Sequence, residues 1–217
     1  MSGTGRAGIA FDPHCRLCPR LARHLDAVQS AHPGYHCRPV APFGSGRHRL
    51  LVVGLAPGLH GANRTGRPFT GDHAGILLYR TLHATGFATL PASVTRSDAL
   101  RLVDCRITNA VKCLPPGNKP LLDEVRRCNR YLIEELDNLP ADAVVVALGV
   151  IAHGAVLRAA GERATSFRFA HGAEHRLTGG LRLLDSYHCS RLNTNTGRLT
   201  AAMFGRVFAR ARHLIAT

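Results

Sequence analysis

The chain has 217 residues, 45% hydrophobic and 19% charged, a length suited to one ordinary domain and a composition that excludes disorder. Twenty-eight Lys and Arg against 14 Asp and Glu give a net charge of +14, which points to a polyanionic partner, nucleic acid first. No apolar run approaches the ~20 residues of a bilayer span, and residues 1–11 lack the apolar core of a secretory leader. Membrane and secreted classes are therefore excluded, and the expected location is the cytoplasm, at the nucleoid.

In chain order, residues 13–31 read as a helix ended by Pro33 and Gly34. Residues 42–46 read as a loop that joins this N-terminal helical piece, 1–46, to the rest. Four short apolar runs follow as buried parallel strands at 50–54, 106–110, 143–148 and 181–187. Helical patterns fall between and after them at 74–84, 121–139, 150–160 and 196–215. Strand–helix alternation gives an α/β fold, a three-layer α/β/α sandwich on a four-stranded parallel sheet, as one domain over 1–217.

Charge is unevenly spread. No acid lies between Asp26 and Asp72 and none follows Asp185, while six of the 14 acids sit between Asp123 and Asp142. If the two acid-free stretches share a face, that face is positive. Because Lys112 and Lys119 are the only lysines, the cations are guanidiniums, suited to bidentate phosphate contact.

Ligands of parallel sheets bind beyond the carboxyl ends of the strands, so three loops matter. The first, 54–72, reads Gly54-Leu-Ala-Pro-Gly-Leu-His-Gly-Ala-Asn-Arg-Thr-Gly-Arg-Pro-Phe-Thr-Gly-Asp72. Its glycines allow close backbone approach to a ligand, and it carries neither a phosphate-binding Gly-Lys-Ser/Thr nor the dinucleotide fingerprint. The second holds Cys113, and Cys15-x2-Cys18 with Cys113-x14-Cys128 makes two pairs of thiols. Such pairs hold zinc or an iron–sulfur cluster, and spacing alone does not separate the two. With the remaining Cys37, Cys105 and Cys189 they do not form a disulfide framework. The third loop, 185–197, places His188 at a strand end.

The loop over 54–72, Asn109-Ala-Val-Lys-Cys-Leu-Pro-Pro116 and His188-Cys-Ser-x-x-Asn-x-x-Thr-Gly197 resemble the signature blocks of uracil-DNA glycosylases. The string Gly-Ala-Asn-Arg-Thr-Gly-Arg-x-Phe-Thr-Gly-Asp resembles the type B, family 5 branch. The resemblance implies a [4Fe–4S] cluster on Cys15, Cys18, Cys113 and Cys128, and removal of uracil and other deaminated bases, such as hypoxanthine, from DNA. It places the base against Gly54, Leu55 and Ala56, with Asn109 at the family's pyrimidine-reading position.

The chemistry agrees with those positions. A base must leave the stack before its sugar carbon can be attacked. Phe69 is the candidate stacking face, and Asn109, which both donates and accepts, the candidate reader of the amide edge. His188 is the candidate donor to the leaving base. Asp72 is the candidate carboxylate for the cationic sugar and the water, and also a candidate helix cap. The family 5 pattern lacks an acid just after the first strand, as here in Leu55, Ala56, Pro57 and Gly58, which leaves His60 and Asn63 as alternatives for water activation.

Arg64, Arg67, Ser190, Arg191 and Arg198 are candidate DNA contacts, and Leu192 the wedge that fills the gap left by the base. The family's His-Pro-Ser reads His188-Cys189-Ser190 here, which removes a stiffening proline and adds an oxidisable thiol. No lysine stands where it would form a Schiff base, so a monofunctional, monomeric glycosylase is expected. The competing readings are a type A, family 4 glycosylase and a non-catalytic, metal-stapled nucleic-acid-binding protein.

Overall fold

A computed structural model describes residues 9–44 and 46–216. Along the chain run α1 (Pro19–Ala31), β1 (Phe43–Gly44), β2 (Leu50–Gly54), α2 (Ala62–Thr65), α3 (His73–Ala84), β3 (Cys105–Asn109), α4 (Leu122–Asp137) and β4 (Val144–Leu148). There follow α5 (Val150–Ala159), β5 (Glu174–Arg176), β6 (Arg182–Ser186), α6 (Arg191–Asn195) and α7 (Ala201–Ala216).

The sheet order is β1-β3-β2-β4-β6-β5. Its four central strands are parallel, as their unbroken apolar runs require, and all residues of β2 and β4 are buried. Alternation along each strand divides two cores. Leu50, Val52, Val144, Val146 and Leu184 face α3 and α7 through Leu78, Leu82, Phe204 and Phe208. Leu51, Val53, Val145, Ala147 and Leu183 face α4 and α5 through Leu132, Leu136, Ala152 and Val156. The three layers are those expected.

The sheet is wider than its apolar runs indicate. Phe43 and Gly44, expected in a loop, pair antiparallel with β3, and the Glu174–Arg176 strand pairs antiparallel with β6. Both are two- or three-residue edges without the apolar run that signals a central strand. The first helix is shorter than 13–31. Pro19 opens it, and the extended backbone at Cys18 (φ −109°, ψ 93°) is what a following proline imposes, so Cys15 and Cys18 lie outside the helix. The last predicted helix, 196–215, starts later, as α7 at Ala201, and a short helix that was not expected, α6, precedes it: Ser190 caps α6 and Gly197 (φ 70°) turns the chain between the two. Among the described residues no helix is long and apolar enough to cross a membrane.

Candidate active site

Parallel register puts Gly54 and Asn109 on the same rung at the carboxyl edge of β2 and β3, and His188 lies two residues beyond β6. Asn109 and His188 line a slot of about 320 Å³ with Leu55, Ala56, Phe69 and Asp72, and Gly54 lies behind Asn109 and Phe69. Each wall has a local cause. Phe69 sits in the left-handed region (φ 53°) and is buried. It is held there because Tyr79 Oη donates to the neighbouring Pro68 carbonyl at 2.8 Å. Gly75 has no Cβ to meet the Phe69 carbonyl, which would lie 1.8 Å away. Gly54 is needed for the same reason, since a Cβ there would stand 2.4 Å from Asn109 Oδ1 and 2.6 Å from Phe69 Cζ. The Phe69 and His188 rings face each other at 5.9 Å and 28°.

Asn109 is 3% exposed and its Oδ1 has no hydrogen-bond partner among the described residues. A buried acceptor left so costs about 1–3 kcal/mol, a penalty that a ligand N–H removes. Burial pushes the His188 pKa down to about 4, so the ring is neutral at neutral pH. Its main chain is fixed by Asn193, whose Nδ2 donates to the His188 carbonyl at 2.8 Å. Asp72 caps α3, accepting the Gly75 N–H on Oδ1 at 3.0 Å. Burial pushes its pKa up, against the Gly75 and Ala74 N–H groups and His73, which favour the ionised form. Its Oδ2 faces Gly61, where a Cβ would come within 2.2 Å.

A groove of about 880 Å³ adjoins the slot, sharing Gly58, Asp72, His73, Asn118 and Arg191 with it, and Arg64 and Arg80 line its sides. Arg64 and Arg191 are exposed there. Arg198 is exposed too, and stacks on Tyr187 at 4.6 Å. Leu192 is 72% exposed. Ser190 is occupied locally, its side chain accepting the Asn193 N–H. Arg67 departs from expectation: it is 5% exposed, paired with Asp98 at 2.5 Å, hydrogen-bonded to Ser93 and the Arg96 carbonyl, and stacked on Phe43. It pins the 93–98 loop from inside and does not face the groove.

Asn63 is also turned away, buried with Nδ2 donating to Cys37 Sγ at 3.5 Å. His60 stays in the groove, hydrogen-bonded to Tyr35 Oη at 2.9 Å. Cys189 is fully buried in the core against α7, so the thiol in place of proline is shielded from oxidants. Sequence reasoning missed His73, tied by Nε2 to Thr194 Oγ1 at 3.0 Å, and Asn118, held at φ 58°. Asn118 had a signal, as the Asn of a Pro-Gly-Asn turn.

Cys15, Cys18, Cys113 and Cys128 line one hollow beneath Leu21 and Tyr131. Burial and then the charge of the other three raise the Cys113 pKa; burial first pushes Cys128 up to about 11. Cys128 Sγ accepts the Lys112 backbone N–H at 3.3 Å.

The small slot has the size of one planar heterocycle, and the groove beside it is lined by the guanidiniums of Arg64, Arg80 and Arg191, which suit a polyanion. That combination defines a base-excising enzyme on an α/β/α sheet. Comparison with known proteins agrees: the profile of the Uracil DNA glycosylase superfamily matches residues 41–212, and the chain belongs to that superfamily. A "Type-5 uracil-DNA glycosylase" of Thermus thermophilus is 49% identical over 92% of this chain and 93% of its own. One of Mycobacterium bovis is 45% identical over 92% of this chain and 78% of its own. A "Type-4 uracil-DNA glycosylase" of Pyrobaculum aerophilum matches less, 37% identical over 61% of each chain.

Proposed function

We propose that this chain is a type 5 uracil-DNA glycosylase, which hydrolyses the N-glycosidic bond of uracil in DNA and leaves an abasic site. The observation that carries the reading is the unpartnered Asn109 Oδ1, buried at the end of β3 against Phe69 and across from a neutral imidazole. The flipped ring stacks on Phe69, and Leu192 fills the space it leaves, so that part of the few kcal/mol of unstacking is returned. Asn109 Oδ1 accepts the ring N–H. His188, neutral because buried, donates to the oxygen on which charge grows as the bond breaks, an effect typically worth about 3–4 kcal/mol of barrier. The main chain of Gly54, Leu55 and Ala56 lines that side.

Asp72, the only carboxylate lining the slot among the described residues, faces the cationic sugar and orients the water through Oδ2. Ala56, Gly58, Ala62 and Ala74 supply much of the remaining wall, which leaves room for other deaminated bases, hypoxanthine among them. Neither lysine lines the slot, and Lys112 is buried against Glu135 at 2.8 Å, in keeping with hydrolysis without strand cleavage. Arg64, Arg191 and Arg198 contact phosphates, and one copy of the chain acts on DNA at the nucleoid.

The four thiols fit a [4Fe–4S] cluster. Among the described residues, the one trio of possible ligand atoms mutually within 4.8 Å is His153, His175 and Asp185. No three of the cysteine sulfurs therefore lie mutually within 4.8 Å, whereas the sulfurs around a tetrahedral zinc at 2.3 Å stand about 3.8 Å apart. A bound cluster supplies charge neutralisation and a covalent staple between the N-terminal piece and the 113–128 segment. The reading is tested with Asp72→Ala and His188→Ala: single-turnover excision should fall by 10²-fold or more at normal affinity for the uracil duplex. Normal rates in both would overturn these roles.

A further inference from the structure

We propose that Lys112 is a positioning residue, which fixes the depth of Asn109 in the slot and ties it to the cysteine site. The inference rests on the base-reading role of Asn109 proposed above. Lys112 is 1% exposed, and burying an ammonium is costly unless it is fully paired. Its stem folds back along its own chain, so that Nζ donates to Thr108 Oγ1 and, at 2.8 Å, to Glu135 Oε1. Thr108 Oγ1 in turn donates to the same carboxylate oxygen at 2.7 Å. The second oxygen of Glu135 pairs with Arg106 at 3.3 Å.

The result is a closed ring over 108–112, anchored on α4, with Asn109 inside it. On the opposite side the same residue reaches the cysteines: its N–H donates to Cys128 Sγ at 3.3 Å, its carbonyl accepts the Val40 N–H at 2.8 Å, and Cys113 follows it. Asn109 cannot shift along β3 unless this ring opens, and the cysteine site cannot shift without pulling it.

The test is a double-mutant cycle. Thr108→Val keeps the shape of the side chain and the Lys112–Glu135 pair but cuts the ring next to Asn109; Lys112→Met removes the ammonium; Lys112→Arg restores a cation. Each is combined with Asn109→Ala, and single-turnover excision of uracil is measured together with iron per protein and visible absorption. A displacement of about 1 Å costs about 10²-fold in rate. Thr108→Val and Lys112→Met should therefore be slowed 10- to 100-fold, with Lys112→Arg close to normal. Thr108→Val should keep the wild-type iron ratio, and both losses should vanish in the Asn109→Ala background.

Losses that persist in full in that background, or a normal rate in Thr108→Val at normal iron content, would overturn the proposal. Thr108→Val decides the matter if Lys112→Met fails to fold. If Asn109→Ala alone leaves the rate unchanged, the base-reading role fails, and this inference with it.

Discussion

Gly54→Ala adds one methyl group at the floor of the slot. The backbone there is not in the left-handed region, so the effect is steric. The new Cβ would lie 2.6 Å from Phe69 Cζ and 2.4 Å from Asn109 Oδ1. Carbon atoms rest at about 3.5–4.0 Å, so ring and amide must retreat by about 1 Å. Phe69 is held by the Pro68–Tyr79 hydrogen bond and the close Gly75 contact, so the retreat strains a packed site, at about 1–3 kcal/mol of stability. A displacement of that size in a reacting geometry lowers the rate by about 10²-fold, or about 2.7 kcal/mol of barrier. Single-turnover excision from a uracil duplex, with thermal unfolding alongside, measures both. A variant with wild-type rate would show that Gly54, Asn109 and Phe69 do not bound the base.

With its pKa down at about 4, His188 should give no inflection in the excision rate near the ordinary histidine value of about 6.5; an inflection there that the His188→Ala substitution abolished would contradict a neutral donor. His153 donates from Nδ1 to Asp185 at 2.8 Å and from Nε2 to the Phe167 carbonyl at 3.1 Å. Both partners only accept, an arrangement that favours the protonated ring. Burial opposes that charge, and Asp185 overcomes it, raising the pKa. Its stabilisation is therefore complete below about pH 6.5 and is lost as pH rises through the raised value. Denaturation between about pH 6 and 9 should show wild type losing more stability than His153→Gln; parallel curves would refute the assignment. Arg191→Ala should weaken DNA binding and reduce the salt slope by about 1 at unchanged melting temperature. Arg67→Ala should instead lower the melting temperature, because it strands Asp98 and the 93–98 loop. Gly154→Ala, in α5 with nothing within 4 Å of its Cβ, should raise stability by about 0.5–1 kcal/mol without changing excision.

The strands and helices that form the layers were legible because their apolar runs are continuous and their ends are marked. Pro120 precedes α4, Gly86 follows α3, and Asp72 stands where both cap and candidate carboxylate were expected. The edge strands were not legible, because two residues such as Phe43 and Gly44 carry no periodicity and pair only through a partner distant in sequence. The site residues came from three loops whose meeting follows from parallel register: Gly54 and Asn109 share a rung, and His188 follows the strand beyond β4. Arg67 shows the limit of this reasoning. In sequence it is one guanidinium among several in an acid-free stretch, and only the approach of Asp98 and Phe43 turns it inward. Asn118 enters the slot through a loop turn and His73 as the first residue of α3, placements that composition does not encode.

A labelled duplex carrying one uracil, treated with anaerobically purified protein and then with alkali, decides whether the strand-end slot excises the base. Strand breaks that appear only after alkali, made by a brown protein and absent with a thymine control, are the expected result. Intact strands after alkali, from a brown protein that binds the duplex, would contradict it.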